Sequence, residues 1–144
     1  MIRQLGIDDL EVLATLLSAS ALDPSDLQPR DMSAFVGVFA DNTLIAAGGL
    51  VRFGHDGWLR SMVTAVEARS QGWASQSVAA LERRAVDAGI RTVFLLTDTA
   101  TRFFEGKGYA IADRKTAPEA ICGTAQFQSL CPDTADLMFK PLNG

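Results

Sequence analysis

Between residues 58 and 96 the hydrophobic period changes twice, and that restricts the fold more than anything else in the chain. Trp58 to Thr64 has the apolar, β-prone composition of a strand. From about Gly72 to Ala88 the period is helical, with Val78, Leu81, Ala85 and Val86 on one face and Gly89 as a stop signal. Thr92 to Leu96 is again short, apolar and β-rich, as a strand covered on both faces would be. Strand, helix and buried strand in that order make a β-α-β unit, so the sheet must contain a parallel pair.

The flanking segments fit around this unit. Asp8 is placed as an N-cap with Glu11 three residues on, and Leu10, Leu13, Ala14 and Leu17 recur at helical spacing. Asp23-Pro24 and Pro29 break the chain around a short helical turn. Ala34 to Ala40 and Thr43 to Val51 read as a hairpin closed by Asp41-Asn42, two residue types that tolerate left-handed backbone. Gly54-His55-Asp56-Gly57 is a further turn. After the β-α-β unit come a short helix near Thr99 to Glu105, a strand at Tyr109 to Ala112, a helix opened by Pro118, and a strand at Leu137 to Lys140. The string predicts an α/β domain on a mixed sheet. With 144 residues, 48% hydrophobic and 21% charged, the expectation is one domain over residues 1–144 that needs no metal or disulfide to hold it.

Thirteen Lys and Arg against seventeen Asp and Glu give a net charge of −4 with no basic run, which disfavours nucleic acid as a partner. Any anion must be held locally. One histidine, His55, and two cysteines, Cys122 and Cys131, cannot assemble a His-rich or Cys-x-x-Cys centre, so no metal is expected. Met1 to Gly6 lacks the apolar core of a secretion signal, and no stretch approaches the roughly 20 apolar residues of a membrane span. A cytoplasmic protein is expected.

Arg69-Ser70-Gln71-Gly72-Trp73-Ala74-Ser75 lies between a strand and the start of the long helix. The first N–H groups of a helix have no intrahelical partner, and the positive end of the helix dipole stands behind them. Gly72 and the small Ala74 leave room for a phosphate oxygen to reach the main chain. An ordinary strand-to-helix turn has the same spacing. A Walker loop is ruled out because no Gly-x-x-x-x-Gly-Lys-Ser/Thr run exists, and a dinucleotide fingerprint because two of its three glycines are missing.

Arg69, Gly72 and Ala74 form Arg-x-x-Gly-x-Ala, which resembles the Gln/Arg-x-x-Gly-x-Gly/Ala pyrophosphate motif of the GNAT family of N-acetyltransferases. Leu59-Arg60-Ser61-Met62-Val63-Thr64 is similar to that family's fourth strand, and Ala100 to Tyr109 to its Ala-x-x-(Leu/Phe)-(Tyr/Phe)-Glu-x-x-Gly-(Phe/Tyr) segment. Leu59-Arg60-Ser61, Leu95-Leu96-Thr97, Phe103-Phe104, Ala117-Pro118, Ala120-Ile121, Thr124 to Phe127 and Ser129 to Pro132 also resemble small N-acetyltransferases encoded with arsenic-resistance genes. Trp73, Gln76, Ser77 and Ser70 depart from the usual loop residues.

The resemblance implies a mostly antiparallel mixed sheet with one splayed parallel pair, flanked by helices. It implies acetyl-CoA as cosubstrate and the primary amine of a small molecule as acceptor, amino-acid-like or an arsenical or phosphinic compound. It also allows a homodimer. The cofactor set carried over is Met62, Val63, Thr64, Gln71, Gly72, Trp73, Ala74, Ser75, Thr97 and Phe104, with the Met62 main chain as oxyanion donor. The family's usual tyrosine acid is replaced by Phe104, and Thr97 stands where an asparagine is common. The single tyrosine, Tyr109, reads as core. His55, a residue type that exchanges protons near neutrality, is a candidate base, with Asp56 and Glu67 behind it. Arg60 and Arg52 are candidates for a substrate carboxylate. Two rivals stand beside this reading: a non-catalytic acyl-CoA-binding or sensor domain, and a metalloid-binding protein using Cys131.

Overall fold

The computed structural model describes residues 1–124, 127–128 and 134–142. The strands are β1 (Ile2–Gln4), β2 (Phe35–Ala40), β3 (Thr43–Phe53), β4 (Asp56–Thr64), β5 (Thr92–Thr97), β6 (Ala110–Ala112) and β7 (Asp136–Pro141). The helices are α1 (Leu10–Ala19), α2 (Trp73–Asp87), α3 (Thr101–Glu105) and α4 (Glu119–Cys122). The seven strands are hydrogen-bonded in the order β1-β2-β3-β4-β5-β7-β6. β4 and β5 run parallel, while β1/β2, β2/β3, β5/β7 and β6/β7 are antiparallel. The mixed, mostly antiparallel sheet is therefore as expected. β1 and the insertion of β7 between β5 and β6 were not legible in the sequence. The chain packs as two compact units, Met1–Leu50 with Ser61–Arg83 and Val51–Arg60 with Arg84–Gly144.

In the first unit, Leu13 and Leu17 of α1 are fully buried and pack with Leu5, Met32, Phe35, Leu44, Ala47 and Val63. The i, i+4 spacing of these leucines aligns them on one side of α1. The β2-β3 hairpin closes through Asp41 and Asn42 with φ of +50 and +63, the left-handed pair its residue types predicted. The Pro29 break is a 3-10 turn over Pro29–Ala34.

The start of α1 corrects the sequence reading. Asp8 lies within a 3-10 turn at Ile7–Asp9, and the residue preceding the helix is Asp9. The Asp9 carboxylate accepts from the Gly6 N–H at 2.8 Å and from the Arg3 guanidinium at 3.0 and 3.1 Å. The Arg3 hydrogen bonds first, and then the Gly6 N–H, hold the Asp9 carboxyl below the usual carboxylate range. A depressed folded-state value adds stability that is present above the unfolded value and lost as pH falls through the folded one. Asp9→Asn is therefore expected to lower the urea midpoint at neutral pH. The wild-type and variant midpoints are expected to converge as pH falls past the unfolded value and through the lower folded one, where the carboxyl is protonated in both states. Midpoints measured across that range check it.

In the second unit, β5 pairs with β7 from Thr92↔Pro141 to Thr97↔Asp136. Trp58, Ile121 and Leu137 form its buried centre, with Phe94, Leu96 and Phe127 packed against them. The parallel register of β4 with β5 covers Asp56↔Thr92, Gly57↔Val93 and Trp58↔Phe94. Among the described residues no pair extends it, so the ladder holds only the first half of β5. Gly89, with φ +81, follows the end of α2 as its stop signal implied. Val78, Leu81 and Ala85 are buried, but Val86 is 37% exposed and does not belong to the buried face. No helix among the described residues is long and apolar enough to cross a membrane.

Candidate functional site

Inside β4, Ser61 has φ +55. A non-glycine residue in left-handed backbone is uncommon, and in mid-strand it gives the local kink of a bulge. The burial pattern changes there: Trp58 and Leu59 are buried in succession, whereas past the kink Val63 and Ala65 alternate with half-buried Met62 and Thr64. The Ala65 N–H donates to the Ile45 carbonyl at 2.7 Å and ties the end of β4 to β3.

The loop that follows is built from the same unit. A 3-10 turn at Val66–Ala68 leads to Arg69, whose Nε–H donates to the Thr64 carbonyl at 3.4 Å. Ser70 and Gly72 have φ of +66 and +87. Gln71 donates through Nε2 to the Glu67 carbonyl at 3.4 Å and accepts from the Trp73 indole N–H at 3.2 Å. The Trp73 ring packs against the cluster of Val38, Ile45, Ala46, Ala65 and Ala68. The departure at Trp73 thus anchors the loop to β2 and β3. Ser77 is buried and satisfied, its hydroxyl donating to the Trp73 carbonyl at 3.0 Å.

The Gln76 N–H donates to the Gly72 carbonyl at 3.1 Å, which makes Gly72 the N-cap of the 15-residue α2. The N–H groups of Gly72, Trp73, Ala74 and Ser75 therefore have no carbonyl within the helix to bond. The first turn contains no acidic residue. A Cβ placed at Gly72 would meet no protein atom within 4 Å, so the backbone angle, rather than crowding by the protein, selects glycine. Main-chain donors, the positive end of a helix dipole and the absence of a competing carboxylate fit a diphosphate.

Thr97, in the second unit, accepts from the Ala100 N–H through Oγ1 at 3.0 Å and so shapes the turn into α3. Phe104 is 5% exposed and packs edge-on to Phe103 and Tyr109 at 5.0 and 5.5 Å. Tyr109 is buried, as a core residue would be. His55 is exposed in the turn before β4, at the strand's opposite end from Met62, with Nδ1 3.4 Å from the Gly89 carbonyl oxygen. Its own carbonyl accepts from the N–H groups of Arg91 and Thr92. Asp56 begins β4, and Glu67 is exposed in the 3-10 turn. Arg52 bends back to donate to the Gly54 carbonyl at 2.9 Å, while Arg60 is half-buried on β4 next to Ser61. Cys122 is a free thiol, and Cys131 lies outside the described residues. Among the described residues no group of three or more His, Cys, Asp or Glu could hold a metal ion. The left-handed Ser61 and Ser70 were missed, because serine carries no residue-type signal for that backbone.

In the mixed α/β fold, β4, with left-handed Ser61 inside it, makes the short parallel pair with β5, and the glycine-capped α2 that follows has first N–H groups with no carbonyl to bond within the helix. Residues 7–109 match the model of the acetyltransferase (GNAT) family, and the chain belongs to that family. No curated protein matches the sequence. Among solved structures, N-acetylglutamate synthase from Neisseria gonorrhoeae, complexed with coenzyme A and N-acetyl-glutamate, is 19% identical with a TM-score of 0.84. That match covers 100% of this chain and 35% of the other, so the chain spans about a third of the synthase's length. Rv2747 from Mycobacterium tuberculosis, in complex with CoA and NLQ, is 18% identical with a TM-score of 0.84, covering 99% of each chain. The PaiA N-acetyltransferase from Thermoplasma acidophilum, in complex with coenzyme A, is 16% identical with a TM-score of 0.71, covering 99% of this chain and 98% of that one. At these identities the likeness shows the fold.

Proposed function

We propose that the chain is a single acetyltransferase domain over residues 1–144 that moves the acetyl group of acetyl-CoA to the primary amine of a small molecule. The observation that carries this reading is the Gly72-capped α2 N-terminus, which β4 with its left-handed Ser61 reaches through the Val66–Ala68 turn. The N–H groups of Gly72 to Ser75 hold the pyrophosphate, with Gln71 and Trp73 fixing the loop. Met62, Val63 and Thr64 offer main-chain groups to the pantetheine arm as an added strand would. The Met62 N–H faces the thioester carbonyl and stabilises the negative charge that develops there as the amine attacks. The nitrogen forms the new C–N bond, the C–S bond breaks, and the thiolate leaves with the electron pair. Alignment of this kind is worth about 7–11 kcal/mol in well-oriented systems.

Thr97 and Phe104 complete the proposed cofactor set. The Thr97 hydroxyl is already engaged by Ala100, and Phe104 is buried, so Thr97 contributes through its main chain and Phe104 through packing. For an acceptor carboxylate, Arg60 and Arg52 are the candidates, and the Arg52 Nε–H donates to the Gly54 carbonyl. The Neisseria synthase structures, which contain N-acetyl-glutamate or L-arginine, support an amino-acid-like acceptor, and the sequence resemblance extends this to arsenical or phosphinic amino acids. His55 sits at the far end of β4 from Met62, so the amine's proton passes to water in this reading. A cytoplasmic location, a homodimer and no role for nucleic acid or membrane belong to the same reading.

Phe104 in place of a tyrosine acid favours a second reading, a non-catalytic acyl-CoA-binding or sensor domain. Thiol release from acetyl-CoA is measured against a panel of amines that includes phosphinic and arsinic amino acids, alongside calorimetry with acetyl-CoA. Binding with thiol release supports the transferase, and binding without it the sensor. Absence of binding at near-millimolar acetyl-CoA overturns both.

A further inference from the structure

We propose that Asp136, the first residue of β7, is a positioning residue for the turn that joins β5 to α3, and through that turn for acetyl-CoA binding. The turn leads from Thr97, the last residue of β5, into a helix of only 5 residues, Thr101–Glu105. A helix that short has no stability of its own in water, so its place is set by what holds it from outside. Its far end is held by Phe104, which is buried and packs on Phe103 and Tyr109. Its start has no side-chain cap, because the preceding residue is Ala100.

Among the described residues, two side-chain bonds of opposite direction tie that start to the chain entering β7. The Thr101 hydroxyl donates to Asp136 Oδ2 at 2.7 Å in a part-buried bond, and the Thr134 hydroxyl donates to Asp98 Oδ1 at 3.1 Å on the surface. Asp136 is also the cross-strand partner of Thr97, whose Oγ1 accepts from the Ala100 N–H at 3.0 Å. These contacts close a ring: Thr97 to Asp136 across the ladder, Asp136 to Thr101, and Ala100 back to Thr97. The Thr101 hydroxyl stands on a β-branched carbon with restricted χ1, so holding the oxygen holds the main chain that carries it. Without the bond, α3 frays at Thr101 and the turn after Thr97 loosens.

The proposal rests on the reading that Thr97 and Phe104 belong to the acetyl-CoA site, and the experiment separates the two. Residue-resolved amide exchange of the intact protein, calorimetry with acetyl-CoA and thiol-release kinetics are recorded for wild type and four variants. Thr101→Val keeps the branched shape and loses the donor. It is expected to speed exchange of the Ala100 and Phe104 amides, which bond Thr97 Oγ1 and the Ala100 carbonyl, by about tenfold, as loss of a hydrogen bond to a charged group does. The Kd and KM for acetyl-CoA are expected to rise about tenfold, with kcat within about threefold, because the thioester is aligned by β4. Asp136→Ala is expected to match Thr101→Val, and the two combined to add little more. Thr101→Ser keeps the hydroxyl and is expected to restore exchange and Kd to within about threefold of wild type. Ile121→Val trims the buried centre of the same unit away from the turn, and is expected to lower the melting temperature and leave the Kd unchanged.

Wild-type exchange at Ala100 and Phe104 in Thr101→Val overturns the proposal, as does an equal rise of Kd in Ile121→Val or no recovery in Thr101→Ser. Faster exchange with an unchanged Kd overturns the role in cofactor binding. If the wild type binds acetyl-CoA but releases no thiol, the transferase reading fails and the Kd values still decide the role of Asp136. If it binds none, that role falls with the reading, while the exchange rates still decide whether Asp136 sets the turn.

Discussion

Gly72→Glu is expected to weaken acetyl-CoA binding by at least about a hundredfold while the fold is retained. Gly72 caps α2 with φ +87, and its Cα faces no protein atom that a side chain would strike. A carboxylate there competes for the first-turn N–H groups and repels the pyrophosphate. Like charges about 4 Å apart repel by about 4 kcal/mol at the effective dielectric of a protein surface, and a hundredfold change needs about 2.7 kcal/mol. Left-handed backbone costs a non-glycine side chain about 1–2 kcal/mol in stability, so the circular-dichroism melt shifts modestly. Gly72→Asn separates the two effects, because asparagine tolerates left-handed backbone and carries no charge. It is expected to bind acetyl-CoA within about tenfold of wild type, since only a neutral side chain is added beside the main-chain donors. Calorimetry on both variants checks this, and wild-type affinity in Gly72→Glu would remove the loop from the binding site.

The second large effect is at the kink of β4. Ser61→Val places a β-branched side chain at φ +55, where such residues are genuine outliers. The variant must carry about 1–2 kcal/mol of strain or straighten the strand. Straightening re-registers Met62 to Thr64, so a loss of kcat of about tenfold or more is expected from misalignment. Ser61→Gly accepts the same angle without a Cβ and is expected to retain turnover within a few-fold. Equal kcat for the valine and glycine variants would show that the kink does not set the alignment.

These two positions differ in how far they can be read from the chain. Gly72 is visible because glycine before a helical period, with small Ala74 beyond it, is a pattern in residue types. Ser61 is not, because serine is compatible with a regular strand, and its left-handed angle arises only where β4 joins the sheet. The same division runs through the fold. The Asp41-Asn42 hairpin and the Gly89 stop follow from local preferences for left-handed backbone, and both stand as read. Asp8 and Asp9 are equivalent to a capping rule, but Asp9, which precedes α1, makes no side-chain cap bond to it, because its carboxylate is taken by the Gly6 N–H and by Arg3 on β1. Val86 has the helical period of Val78 and Leu81, yet burial depends on what faces the helix at its last turn.

By itself the sequence determined the β-α-β unit, the parallel pair it requires and the glycine-led start of α2, because each is set by short-range periodicity and by the angles that glycine, asparagine and aspartate allow. The resemblance in its motifs pointed to the family that residues 7–109 match. Tertiary structure alone decided the insertion of β7 between β5 and β6, the end of the parallel ladder at Trp58 and Phe94, and the Met62 thioether resting on Gly48. Strand neighbours and side-chain contacts across strands join residues far apart in the chain, and no local propensity encodes which distant surface will meet them.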